Sequence, residues 1–264
     1  MADVLVERRD RVAVITVSDP ARRNALTGEL SDRLAAAVRE CDADEAVGAI
    51  VITGAPPAFC AGGDLAALGE AGRSGSHEGL VAIYEGFLTV ARASVPTVAA
   101  VSGPAVGAGL NLALACDVRL AGPGAVFDAR FLQLGIHPGG GMTWMAQRLL
   151  GPQAAAAMAL FGEAFDAAEA LRTGLVHRVV DVPGDDPRSA EAHAAVVDAA
   201  VAFATRASQA PRDLVSATKA TLRDTAALPR HADAVDREVT PQMTSLASEA
   251  FTRTLAEIEA ARQR

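Results

Sequence analysis

The sequence predicts an α/β fold, and three observations carry that reading. Short β-branched runs alternate with segments of helical length, glycine-rich turns sit at the ends of the strand candidates, and the strand signal stops near Pro211. Such alternation builds a sheet covered by helices, with ligand sites at the turns that leave the strands. In order, Val4–Glu7 and Val12–Val17 read as a strand pair around a turn at Arg9–Asp10, the second a buried apolar run. A helix is expected from Gly28 to about Asp42, then the strand Ala49–Thr53, ending in GAPPAFCAGGD, a stretch too rich in glycine and proline to be regular. Leu68–Gly79 (LGEAGRSGSHEG) reads as a flexible loop that leaves His77 and Glu78 solvated. A helix follows around Leu80–Ala93, then the strand Thr97–Val101, the turn GPAVGAG, a helix Leu110–Cys116 and a strand Asp117–Ala121. Val182–Arg188 (VPGDDPR) is a linker or loop. Beyond it, Leu214–Arg223 and Ser245–Arg262 read as helices of an appendage that packs on the core or on another subunit.

A chain of 264 residues has room for one large domain, with or without an appendage, and needs no disulfide to be stable. Its 50% hydrophobic and 21% charged residues describe a globular chain. A net charge of −8 with a single Trp and a single Tyr argues against a nucleic-acid surface, which needs a basic stripe and interleaved aromatics. An anionic ligand would therefore need local positive potential. Cys41, Cys60 and Cys116 are widely spaced, with no CxxC pair and no histidine cluster, so no metal site is expected and a reducing cytoplasm fits. MADVLVERRD carries no apolar signal region, and no run approaches the roughly 20 apolar residues of a membrane helix. Neither secretion nor a membrane is expected.

Five segments are more specific. Pro20–Leu26 (PARRNAL), Phe59–Leu65 (FCAGGDL), Gly103–Asp117 (GPAVGAGLNLALACD), Leu134–Arg148 (LGIHPGGGMTWMAQR) and Ala170–Val180 (ALRTGLVHRVV) resemble, in order and spacing, the signatures of the crotonase (enoyl-CoA hydratase/isomerase) family. Any one of these pieces alone is weak; five in register are strong. The resemblance spans about residues 4 to 180, and the C-terminal helices match in character only. It implies a spiral core of repeated β-β-α units that binds acyl-CoA, over residues 1–205, and a helical oligomerisation region, 206–264, in a homotrimer or dimer of trimers. A coenzyme A thioester is the implied substrate or ligand, with no other cofactor.

The implied chemistry can be followed residue by residue. Negative charge developing on a thioester carbonyl oxygen needs donors, and a preorganised N–H in a dry site is worth roughly 3–4 kcal/mol. By motif position the donors are the N–H groups of Gly63 and Ala108, the latter at a helix start where its N–H lacks an intrahelical partner. Ala61, Gly62, Gly107 and Gly109 keep the backbone close to the thioester, with Ala25, Leu65, Gly139 and Trp144 among the expected contacts. Arg22 and Arg23 resemble the basic pair that lies along the CoA phosphates, or form a solvated surface pair. Asp64 either caps the helix that follows or supports the site.

The sequence departs from the family at the water-activating pair. Hydrating members use two glutamates where this chain has Asn111 and Phe131. Asn can orient a water but not take its proton, and Phe does neither. His137 and Asp128 are the remaining candidates for proton transfer. Cys60 reads as a small buried filler, and His177, His193 and His231 have no partner visible in sequence. Three function classes follow: a lyase or isomerase on acyl-CoA with altered catalytic residues, a non-catalytic acyl-CoA-binding protein, and another reaction of the scaffold such as decarboxylation. Protein hydrolysis is not expected, because no G-x-S-x-G occurs and Ser102 has no evident base, and nicotinamide chemistry fails because no G-x-G-x-x-G follows a strand.

Overall fold

The computed structural model describes residues 2–262. Strands β1 (Asp3–Arg9) and β2 (Val12–Ser18) form an antiparallel hairpin that turns at Asp10, whose φ is +57°. Helix α1 (Gly28–Ala43), capped by the Thr27 side chain, returns the chain to β3 (Ala49–Gly54), parallel to β2. Next come α2 (Leu65–Ser74) and α3 (Glu78–Arg92), then β4 (Thr97–Val101), β5 (Pro104–Val106) and α4 (Ala108–Ala115). The same strand, strand, helix order recurs in β6 (Val118–Ala121), β7 (Val126–Asp128) and α5 (Met142–Leu160), the last kinked at Gly151 and Pro152. After β8 (Phe165–Asp166), α6 (Ala167–Arg172) and β9 (Arg178–Val179), the helices α7 (Ala190–Ser208), α8 (Arg212–Thr225), α9 (His231–Leu246) and α10 (Glu249–Arg262) complete the chain.

The first strand of each repeat joins a six-stranded sheet, β1-β2-β3-β4-β6-β9, and the second strand joins a three-stranded one, β5-β7-β8. That division is the β-β-α spiral. The central strands are buried on both faces, as parallel strands flanked by helices must be. Ile15, Ile50, Ile52, Ala99 and Val101 pack with α1, α3 and α4, whereas the intervening Val14, Val51, Val98 and Ala100 pack with Val196, Val197 and Ala200 of α7. Period-two alternation thus separates two apolar layers. Helix α7 ends at Ser208, so the division between residues 205 and 206 falls inside it.

The expected flexible loop Leu68–Gly79 is a correction. Most of it is helix α2, started by Asp64, whose Oδ1 accepts from the Ala67 N–H at 2.9 Å, and stopped by Gly75 at φ +65°. Its glycines read as breakers, yet the Asp64 cap starts the helix and Ala67 and Leu68 pack, partly buried, against the core. The single helix expected over Ser245–Arg262 is divided at Ala247, with Ser248 Oγ accepting from the Phe251 N–H at the start of α10.

Candidate active site

The site begins with a side chain that holds a loop by its backbone. Asn24 is fully buried at φ +61°; its Oδ1 accepts from Asp19 N–H and its Nδ2 donates to the carbonyls of Ala55 and Ala58, at 2.7–2.8 Å. This pins PARRNAL to the glycine- and proline-rich stretch after β3. Two residues on, Leu26 forms an isolated parallel bridge with Gly63: Leu26 N–H donates to Gly62 O, and Asp64 N–H donates to Leu26 O. In such a bridge the central residue's own N–H points to the opposite side. Gly62 makes the turn at φ +112°, where a Cβ would lie 3.0 Å from Val106 O.

The second turn meets the first through Cys60, which bridges Ala105, and through Gly109, where a Cβ would lie 2.1 Å from Cys60 O. Only glycine permits that approach of α4. The Gly107 N–H is fixed by Asp128 O at 2.9 Å, and Gly107, at φ +53°, turns the chain into α4 so that Ala108 is its first residue. Among the described residues neither the Gly63 nor the Ala108 N–H donates to a backbone carbonyl. Burial pushes the Cys60 thiol up to about 12, which keeps it an inert filler between the turns.

Both turns open on a cavity of about 650 Å³. Of the expected site residues it is lined by Arg23, Ala61, Gly62, Gly63, Leu65, Gly107, Ala108, Asn111, Phe131, His137 and Gly139. Arg22, Ala25, Asp64, Asp128 and Trp144 do not line it. Arg22 is paired with the buried Asp19, and Asp64 is spent on its cap. Asp128 is committed to Arg130, with Nε to Oδ2 at 2.8 Å, and contributes to the site through its backbone carbonyl. Trp144 is 63% exposed, with the Arg148 guanidinium 4.5 Å from its ring centre. Sequence reading missed Tyr84 and Ile83 on α3, Leu134 and Ile136, Arg130, and His77, which stands at the start of α3 on the cavity rim. The helical period places Leu80, Ile83 and Tyr84 together on α3, which is the signal that could have found them.

No carboxylate lines the cavity among the described residues; its charged or titratable groups are Arg23, Arg130, His77, His137 and Tyr84. His137 is exposed, and its Nδ1 lies 2.7 Å from Pro138 O. A carbonyl only accepts, so Nδ1 carries a proton, and the tautomer this bond selects is the one with its lone pair on Nε2. Asn111 is 1% exposed, and its Nδ2 donates to Gly139 O at 2.9 Å. Burial raises the Tyr84 phenol, partly offset by the Gly140 N–H facing its oxygen. Elsewhere, Ser102 does have a histidine partner: its Oγ lies 2.8 Å from His193 Nδ1, on α7 and away from the cavity. Burial holds His193 below its ordinary value. No group of three or more metal-ligating side chains occurs among the described residues, and no described helix is long and apolar enough to cross a membrane.

The sequence pattern of the enoyl-CoA hydratase/isomerase family matches residues 7–257. The chain belongs to that family. A Mycobacterium tuberculosis protein named "probable enoyl-CoA hydratase" is 49% identical over 258 residues, 96% of each chain. The 2,3-dehydroadipyl-CoA hydratase of Escherichia coli K12 is 37% identical over 183 residues, 68% of this chain and 69% of that one. Among solved structures, an enoyl-CoA hydratase subunit from Geobacillus kaustophilus superposes with a TM-score of 0.86 at 26% identity, covering 98% of this chain and 95% of that one. Family membership accounts for the five sequence segments together: four contribute to the two turns or the cavity wall. The fifth, Ala170–Val180, adds β9 beside β6, where the buried Arg119 ties it down through Leu175 O at 2.6 Å.

Proposed function

We propose that this enoyl-CoA hydratase/isomerase family member acts on acyl-CoA thioesters by stabilising an enolate between the N–H groups of Gly63 and Ala108. One observation carries the reading: two backbone donors without backbone acceptors among the described residues open on the same cavity, whose described lining is largely apolar and includes no carboxylate. A carbonyl oxygen takes two such donors, and the dipole of α4 adds positive potential where the oxyanion forms. In a chain of net charge −8, Arg23, which has no carboxylate partner among the described residues, supplies local positive charge for the phosphates of coenzyme A, Arg130 being paired with Asp128. With Asn111 and Phe131 at the glutamate positions, a water is not activated in the family's usual way. Isomerisation, or decarboxylation of a malonyl-type thioester, needs the enolate site without that pair. The Nε2 lone pair of His137 is the best-placed base.

The lack of a lining carboxylate also favours a second reading, an acyl-CoA-binding protein without turnover. Incubation with a panel of acyl-, enoyl- and malonyl-type CoA thioesters, scored for binding and for product, separates the two. Binding with product supports the enzyme and binding alone supports the carrier, while a panel that does not bind ends both readings. No cofactor beyond the thioester and no nucleic-acid partner is proposed, and the cytoplasm is the proposed location.

The C-terminal region is proposed to assemble the protein as a trimer or dimer of trimers. Helices α9 and α10 bury no residue, Met243, Phe251, Leu255 and Ile258 are exposed, and a cavity of about 560 Å³ opens between α8 and α9. Light scattering at micromolar concentration should give at least three times the chain mass; a clean monomer would sink this proposal.

A further inference from the structure

Helix α8 joins the C-terminal helices to the core, and it docks by charge-assisted hydrogen bonds more than by apolar area. Arg212 donates to the carbonyls of Asp42, Asp44 and Val47, at and just beyond the end of α1. Arg223 donates to Ala93 O, at the end of α3, at 3.2 Å. Between them, Lys219 donates to Val95 O at 2.7 Å and pairs with Asp117, whose Oδ2 also accepts from the Thr97 N–H and hydroxyl at 2.8 and 3.0 Å. Carbonyls left over at the C-terminus of a helix, at the negative end of its dipole, suit cationic donors. Lys219 is the one buried residue of α8, while Leu214 and Leu222 on the same helix are exposed.

Lys219 is also the single lysine of the chain; the other 23 of its 24 basic residues are arginine. This composition has a chemical consequence in a protein proposed to hold acyl-CoA thioesters. A thioester acylates a free amine: the nitrogen attacks the thioester carbonyl, the N–C bond forms, the C–S bond breaks, the coenzyme A thiol leaves and the amine gives up a proton. A guanidinium stays protonated and takes no part. While α8 is docked, Lys219 Nζ is enclosed against Val95 O and Asp117, where no acyl carbonyl can reach it. It becomes a nucleophile when α8 lifts. A helix held mainly by polar contacts belongs to the segments that open locally, ahead of the core.

Acylation changes what Lys219 can do on return. The amide nitrogen has no charge and a single N–H, so Val95 O and Asp117 can no longer both be satisfied, and the added acyl group must enter a filled space. We infer that Lys219 is an acylation-sensitive latch for the C-terminal helices: docked, it is shielded from acyl donors, and once acylated it keeps α8 from docking again. Helices α9 and α10, which bury no residue of their own, then come away with α8. The latch rests on the thioester reading only for the identity of its natural acyl donor.

The test uses acetyl N-hydroxysuccinimide ester, which needs no binding cavity, so its outcome is independent of whether thioesters bind. The full chain is treated at mildly alkaline pH, native and in concentrated guanidinium chloride, and acetylation is timed by peptide mass spectrometry. Lys219 should react about 100-fold or more slowly in the native chain than in the unfolded one, while the α-amino terminus reacts at similar rates in both. After refolding, the chain acetylated while unfolded should be cut by trypsin after Arg223 about tenfold or more faster than the chain acetylated while native, with the core before α8 left intact. Lys219→Arg, which takes no acyl group, should show no such difference between the two treatments. Native reaction within about threefold of the unfolded rate overturns the shielding. Equal trypsin resistance of the two acetylated chains, digestion of the core along with α8, or a difference that persists in Lys219→Arg overturns the latch.

Discussion

The two donor turns and the wall facing them are built on opposite principles. In the turns everything that touches the expected carbonyl is backbone, fixed by other backbone: Leu26 against Gly62 and Asp64, Cys60 against Pro104 and Val106, Gly107 against Asp128. On the wall everything is side chain: Asn111, Phe131, Tyr84 and His137. On the function proposed above, the turns supply the polarising element expected of the family, whereas the wall carries Asn111 and Phe131 where carboxylates are expected. That proposal makes anchoring and proton transfer separable, so that each should be alterable with the other left in place.

The sharpest test of that separation rebuilds the wall. The double change Asn111→Glu, Phe131→Glu sets two carboxylates beside the acyl chain, whose repulsion raises one pKa and so supplies an acid and a base. Crotonyl-CoA hydration should rise about 100-fold or more over the parent, with far less from either single change. Thermal melting must accompany the assay, because position 131 is partly buried and a carboxylate there is costly to desolvate. A folded double variant that binds crotonyl-CoA and hydrates it no faster shows that the wall is reshaped rather than merely disarmed.

The converse test breaks a turn. Ala108→Pro deletes one donor at the first position of α4, where proline is tolerated and Gly107 precedes it. Turnover of whichever thioester proves to be the substrate should fall about 100- to 1,000-fold with the melting temperature little changed. An unaffected rate would mean that the Ala108 N–H takes no part. The smallest effect is expected at the cavity's outer edge, where Asp64→Ala removes the cap of α2. A loss of about 1 kcal/mol in stability, roughly 2–4 °C in Tm, should come with modestly weaker thioester binding and no change in the chemical step. A fall in kcat at constant KM would instead return Asp64 to the site.

The turns were legible in the sequence and most of the wall was not. Glycine at 62, 107 and 109 is demanded by positive φ or close approach, which is a local and therefore readable constraint. The long central strands were readable for a similar reason, being β-branched runs bounded by glycine and proline. The two- and three-residue strands β5, β7, β8 and β9 were not, since their pairing is set by partners far along the chain. Helix α2 was hidden by its own glycines. Tyr84 could be placed on a helix, but its convergence with Asn111 on Gly139 joins three separate elements, and the Ser102–His193 pair joins two that lie 91 residues apart. No local pattern announces such meetings.

Because the expected oxyanion donors are main-chain N–H groups, they are almost immune to point mutation. At Ala108 or Gly63 proline alone deletes the donor; other replacements leave it in place, though a bulky side chain can still obstruct the cavity. Each wall residue, by contrast, changes its chemistry completely with a single substitution. On that reading, a lineage carrying this architecture can drift through one reaction after another at Asn111, Phe131 and Tyr84 while the proposed grip on a thioester is inherited intact through the path of the chain.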